Sequence, residues 1–183
     1  MIALIIIVVI VIAIAAFVIR TYNELVTSRN KVKNAFAQVD TQLQRRFDLI
    51  PNLVETVKGF ASHEKELLES VAASRSGYMN ATTNAEKLAM NNQLTAGLRN
   101  LFAVAENYPE VKANANFIRL QDELSETEDK VAYSRQFYND AVTIYNNKIQ
   151  LFPGNLVAGM FGFAAEELFG TDDEAKEAPK VEF

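Results

Sequence analysis

The chain has 183 residues, with 18 basic and 23 acidic side chains for a formal net charge of −5, and it contains no cysteine, no tryptophan and one histidine. Without cysteine there is no disulfide framework, thiol nucleophile, Cys-ligated zinc or iron–sulfur site, and no lipoprotein anchor. An apolar share of 49% excludes an intrinsically disordered chain, and the acidic total argues against a nucleic-acid partner.

Charge and apolar residues are segregated along the chain. Residues 1–19, MIALIIIVVIVIAIAAFVI, carry no charged side chain. The stretch from Ile2 to Ile19 would rise about 27 Å as a helix, close to the hydrocarbon thickness of a bilayer. A core helix would show a polar face, and this run has none. A secretory signal would begin with a basic region, and none precedes the run, although Ala13-Ile14-Ala15 resembles a cleavage site. The expectation is an uncleaved single-pass anchor over residues 1–19.

Only Met1 precedes the run, while Arg20, Arg29, Lys31 and Lys33 follow it closely. The positive-inside tendency then places a short N-terminus outside the cell (cytoplasmic) membrane and the rest in the cytoplasm. Residues 20–50 carry a net charge of +3, residues 51–150 of −3 and residues 151–183 of −5. Arg20, Arg29, Lys31 and Lys33 are therefore the candidate lipid-facing basic residues.

Behind the anchor, Leu25, Val32, Phe36, Val39, Leu43, Phe47 and Ile50 recur at helical spacing, with no breaker separating them from the apolar run. Proline is tolerated in a first turn and breaks a helix interior, so a second helix is expected from Pro51 or Asn52 to about Gly77. Its stripe is Leu53, Val57, Phe60, Leu67, Leu68, Val71 and Tyr78. Thr83 and Glu86 have capping-box spacing, which starts a third helix running to Asn107 over Leu88, Leu94, Leu98, Leu101, Phe102 and Val104. In the fourth, Phe117, Leu120, Leu124, Thr127, Val131, Ser134, Tyr138, Ala141 and Tyr145 form a heptad seam. The fold class is all-α: a single N-terminal transmembrane helix followed by an elongated antiparallel four-helix bundle over residues 20–150.

Residues 152–163, FPGNLVAGMFGF, are uncharged and too short to span a bilayer. They fold back on the bundle, lie in the membrane interface or bury against another subunit. Phe152, Leu156, Val157, Met160, Phe161 and Phe163 are the candidate contact surface within a segment taken as 151–165. Residues 166–183 read as an acidic, mobile tail.

Chemistry finds little footing. His63 is the only histidine, and the zincin pattern fails because Leu67 stands where the second histidine is required. Asp122, Glu123, Glu126, Glu128 and Asp129 lack the glycine-turned loop that converges oxygens on calcium and read as a solvated face. Arg45 and Arg46 could contact phosphate or lipid but are as easily explained as exposed charges near Asp48, and the asparagine-rich stretches suggest no chemistry. No catalytic, cofactor or metal residue is assigned.

Several blocks carry a resemblance: VDTQLQRRFDLIPNLVETVKGFASHEKELLESV (39–71), LFAVAENYPEVKANANF (101–117), YNDAVTIYNNKIQLFPGNLVAGMFGF (138–163) and PKVEF (179–183), with YNELVTSRNKVKNAFAQVD (22–40) ahead of them. In this order they resemble the LemA family. The resemblance implies a single-pass protein with a cytoplasmic four-helix domain, no established activity, and relatives of bacterial internal membranes that include magnetosome proteins. The stretch 166–178 departs from the aromatic and acidic tail of that family. The residues read RRFDLIPNL (45–53) as a bundle corner with Asp48 or Asn52 capping. The functional expectation is a non-enzymatic, self-associating scaffold or interaction protein. The alternative is a membrane-shape or stress adaptor that binds lipid through the basic juxtamembrane helix and the 152–163 strip. Expected partners are membrane lipid, a second copy of the chain, and other membrane proteins, with no nucleic acid.

Overall fold

A computed structural model describes residues 1–60 and 63–169. The described residues form six helices and no strand: α1 (Ile2–Lys58), α2 (Lys65–Asn80), α3 (Asn84–Ala105), α4 (Pro109–Lys112), α5 (Ala115–Gln150) and α6 (Gly154–Phe161). Two compact units can be distinguished, one built from Met1–Gln38 with Ser134–Phe169 and the other on Val39–Tyr133.

The apolar run and the first amphipathic segment are one uninterrupted helix, α1. It contains a stretch long and apolar enough to cross a membrane, and none of that stretch is buried inside the chain, so it is not a core helix.

The expected helix start at Pro51 is wrong. Proline removes one backbone donor and crowds the preceding turn, a cost of roughly 3 kcal/mol in a helix interior. Yet α1 continues through Pro51, whose ring faces outward, to Lys58. The reason lies on the opposite face, where Phe47, Ile50, Leu53 and Val57 are all buried at 1% exposure or less. Each such side chain contributes roughly 1.5–3 kcal/mol by leaving water, and breaking the helix at Pro51 would take the stripe out of register. The turn comes instead at Gly59 and Phe60, where the Phe60 amide donates to the Val57 carbonyl. Phe60 thus falls outside both helices at 40% exposure rather than on the expected stripe.

In the unit built on Val39–Tyr133, α2 packs along α3. Leu68, Val71 and Tyr78 of α2 and Leu94, Leu98 and Leu101 of α3 are buried. Gly97 lets them close, because a Cβ there would lie 3.0 Å from a Val71 methyl. The Thr83 capping box is formed: its hydroxyl accepts from the Glu86 amide at 3.1 Å, and the Glu86 carboxylate accepts from the Thr83 amide at 3.0 Å. Asn114 starts α5 by accepting from the amides of Asn116 and Phe117.

Along α5, Phe117, Leu120, Leu124, Thr127, Val131, Tyr138 and Tyr145 are buried, but the eighth seam position moves from Ala141 to Val142, and the buried line continues at Ile149. A straight helix of 3.6 residues per turn drifts about 20° per heptad against a 3.5 repeat, which shifts the buried line toward later residues.

Candidate contact surface

Within the unit formed by Met1–Gln38 and Ser134–Phe169, α6 starts at Gly154 with Pro153 as its N-cap, separated from the end of α5 by three residues. Gly154 is required by close approach: a Cβ there would lie 2.3 Å from the Lys148 carbonyl oxygen. Gly162 ends α6 at φ 68, the left-handed conformation that glycine adopts at little cost. Its amide and that of Phe163 both donate to the Ala158 carbonyl.

The six candidate contact residues divide between two faces. Val157 is 1% exposed and, with Ala158, packs inward, so it is not part of an outward surface. Successive residues turn by about 100°, which sends Leu156 and Met160 outward instead. Met160 is 72% and Phe152 79% exposed, and Leu151, Leu156 and Phe161 are also exposed. One edge of Phe161 meets Tyr22 of α1, with ring centroids 4.8 Å apart, and Phe163 lies 5.7 Å from the same ring. A band of uncharged side chains thus stands beside the residues that follow the apolar run of α1.

The basic candidates also separate. Arg20 is exposed and donates to Glu24 at 3.2 Å, and Lys31 and Lys33 are exposed. Arg29 turns away from that set: its guanidinium lies 5.1 Å over the Phe163 ring, a cation–π contact within the protein.

Beyond α6, residues 163–169 form an extended strap along α5 that the sequence reading did not foresee. The Tyr145 hydroxyl donates to the Ala164 carbonyl at 2.9 Å, and the Tyr138 hydroxyl to the Glu167 carbonyl at 3.0 Å. Between them, the Asn146 side chain accepts from the Glu166 amide and donates to its carbonyl. Asn139 does the same for Phe169, at 2.8 and 3.1 Å. Seven residues of helix rise about 10.5 Å, and three residues of extended chain span about 10 Å. A Tyr-Asn pair repeated at seven residues therefore matches a strap read every third residue. The signal in the sequence was YNDAVTIYN itself, two Tyr-Asn dipeptides in heptad spacing.

Phe169 closes the strap. It sits 5.3 Å from Tyr138 and 6.2 Å from Phe36, with Arg135 over its ring. Burial, then the charges of Glu166 and Glu167, push the Tyr138 hydroxyl above the usual tyrosine range, so it stays a donor. Burial does the same at Tyr145, with Arg29 opposing. The rest of the expected acidic tail, 170–183, lies outside the described residues.

Arg46 is a second correction: it is buried at 1% exposure, not a surface charge. Its guanidinium donates to Asn91 at 2.7 Å, Thr95 at 3.0 Å and Glu128 at 3.1 Å, which ties α1, α3 and α5 in the unit built on Val39–Tyr133. Burial lowers its pKa and Glu128 opposes this; an arginine remains charged regardless. Nearby, the Asp40 carboxylate accepts from the Tyr78 hydroxyl at 2.8 Å and from Lys87 at 2.7 Å, with Tyr78 stacked on Phe47. His63 is exposed in the turn before α2. Among the described residues no group of three His, Cys, Asp or Glu is placed to hold a metal ion.

The family model of the LemA family matches residues 35–183. The chain belongs to the LemA family. Among curated relatives, Protein LemA of Metamycoplasma hominis is 26% identical over an alignment that covers 74% of this chain and 63% of that protein. Magnetosome protein MamQ 2 of Paramagnetospirillum magneticum is 26% identical, with 87% of this chain and 68% of that protein covered. MamQ of Magnetospirillum gryphiswaldense is 24% identical, with 81% and 64% covered. The chain thus spans about two thirds of the length of these relatives. None of these LemA and MamQ names states an enzymatic activity.

Proposed function

We propose that this LemA-family chain is a non-enzymatic, membrane-anchored scaffold that rests the outer face of α6 in the lipid interface beside its own anchor. The observation that carries this reading is the exposure of Leu151, Phe152, Leu156, Met160 and Phe161 in the unit that also holds the uncharged run of α1. Solvated monomers rarely keep so contiguous an apolar face open to water. The positive charges after residue 19 support a cytoplasmic position for everything beyond Arg20. The magnetosome names of two relatives support an association with bacterial membranes. The helices behind the anchor serve as an antiparallel bundle that displays surface for a second copy and for other membrane proteins.

The test removes residues 1–19 and measures co-sedimentation with anionic vesicles. The shortened chain binds weakly and in a salt-sensitive way, and Leu156→Ser with Met160→Ser abolishes the binding. No binding by the shortened chain would refute the interfacial role of α6. For the scaffold role, the full-length protein in lipid particles forms dimers or larger assemblies; a monomer at every protein load contradicts self-association.

A further inference from the structure

Two hollows open where α1 leaves its uncharged run, and both are bordered by Arg20, Glu24 and Lys148. One, of about 460 Å³, has Phe17, Leu25, Leu151 and Phe152 among its walls. The other, of about 620 Å³, reaches Ala16 and Ile19 on the apolar run. Arg20 is engaged with Glu24 at 3.2 Å, whereas the exposed Lys148 ammonium has no hydrogen-bond or ion-pair partner among the described residues. The three groups together carry one uncompensated positive charge, set against apolar walls on both sides. A small inorganic anion would use the cations and leave the apolar walls wet. A phosphate carrying acyl chains uses both.

We propose that these hollows form a binding site for one anionic phospholipid. Lys148 and Arg20 face its phosphate, and Phe17, Leu151 and Phe152 cover the glycerol and first acyl carbons. The chains continue past Ala16 and Ile19 along the outside of α1. The Glu24 carboxylate competes with the phosphate for Arg20 and sets the affinity. This inference rests on the membrane reading above and adds the ligand class and the residues that select it.

The test uses the full-length protein in detergent micelles, titrated with phosphatidylglycerol or phosphatidylcholine, with retained lipid counted by native mass spectrometry. Phosphatidylglycerol is retained in preference, in a stoichiometry of one per chain. Lys148→Gln weakens that binding about fivefold, the effect of one basic residue at a lipid surface. Glu24→Gln, which frees Arg20, strengthens it by a similar factor. All three side chains lie at the surface, so helix content by circular dichroism is unchanged in both variants. Equal retention of the two lipids, no effect of Lys148→Gln, or weaker binding in Glu24→Gln overturns the proposal. Displacement of the lipid by millimolar inorganic phosphate also overturns it, since the site would then be a phosphate site alone. Incorporation into lipid nanodiscs separates the two readings. A chain that incorporates without lipid preference refutes only this site, and one that fails to incorporate refutes the anchor as well.

Discussion

The asparagine clamps on the strap are open to a direct test. Asn146 makes two hydrogen bonds to Glu166, one to its amide and one from its own side-chain nitrogen to the carbonyl. Each bond contributes about 1 kcal/mol net, so Asn146→Ala should cost the strap about 2 kcal/mol locally. That is roughly a 30-fold rise in the equilibrium for opening, at 1.4 kcal/mol per tenfold. Alanine is also the better helix former by a few tenths of a kcal/mol, which supports α5 itself and leaves strap opening unaffected. Hydrogen exchange on the full-length protein in lipid reads the effect at the Glu166 amide. Asn146→Ala accelerates exchange there about 30-fold, and Asn139→Ala does so preferentially at Phe169. Asn147→Ala is the control, because its neighbouring side chain is exposed and holds no strap atom. Unchanged exchange at Glu166 in Asn146→Ala, or equal acceleration in Asn147→Ala, would refute the clamp.

Three further predictions concern stability of the full-length protein. Arg46→Ala lowers the unfolding free energy by about 2–4 kcal/mol in denaturant titration, because it empties a buried site and strands its partners. Glu128→Gln costs less than about 1 kcal/mol, since that carboxylate is 52% exposed; equal effects would contradict the assignment of Arg46 as the buried hub. Gly154→Ala costs about 1–3 kcal/mol through its clash with the Lys148 carbonyl. By contrast, Gly159→Ala, which meets nothing within 4 Å, stabilises by about 0.5–1 kcal/mol in thermal unfolding. At Tyr78, burial and the hydrogen bond to Asp40 raise the hydroxyl above its ordinary value of 10.0. The unfolded chain then loses this proton first, so stability is intact below pH 10.0 and falls as the pH rises beyond it. Tyr78→Phe flattens that alkaline loss in a pH series of unfolding midpoints; an unchanged slope would exclude Tyr78 as its source.

Much of this fold was legible in the sequence because burial follows helical period. Leu25, Val32, Val39, Leu43, Phe47 and Ile50 are all in the core, as their spacing required. Local chemistry was equally readable at Thr83, where the cap depends on a residue three positions away. Pro51 misled because its penalty is local, while the packing that overrides it comes from one buried face with residues both before and after it, Phe47 and Ile50, then Leu53 and Val57. Arg46 was invisible for a related reason: its acceptors, Asn91, Thr95 and Glu128, are distant in sequence, and nothing at position 46 announces them. The contact surface was half legible. An uncharged strip marked it, but only the helical phase set by Gly154 and Gly162 decides that Val157 turns inward and Met160 outward. Arg29 was taken for a lipid-facing charge because its aromatic partner, Phe163, lies far along the chain.

Whether the outer face of α6 lies in the lipid interface can be read with a single fluorophore. The chain contains no tryptophan, so Met160→Trp introduces a lone emitter at a position 72% exposed. In full-length protein reconstituted into vesicles whose acyl chains are brominated near the headgroup, this tryptophan emits blue-shifted light and is strongly quenched. Emission typical of water, with no quenching by the brominated lipid, would contradict the account.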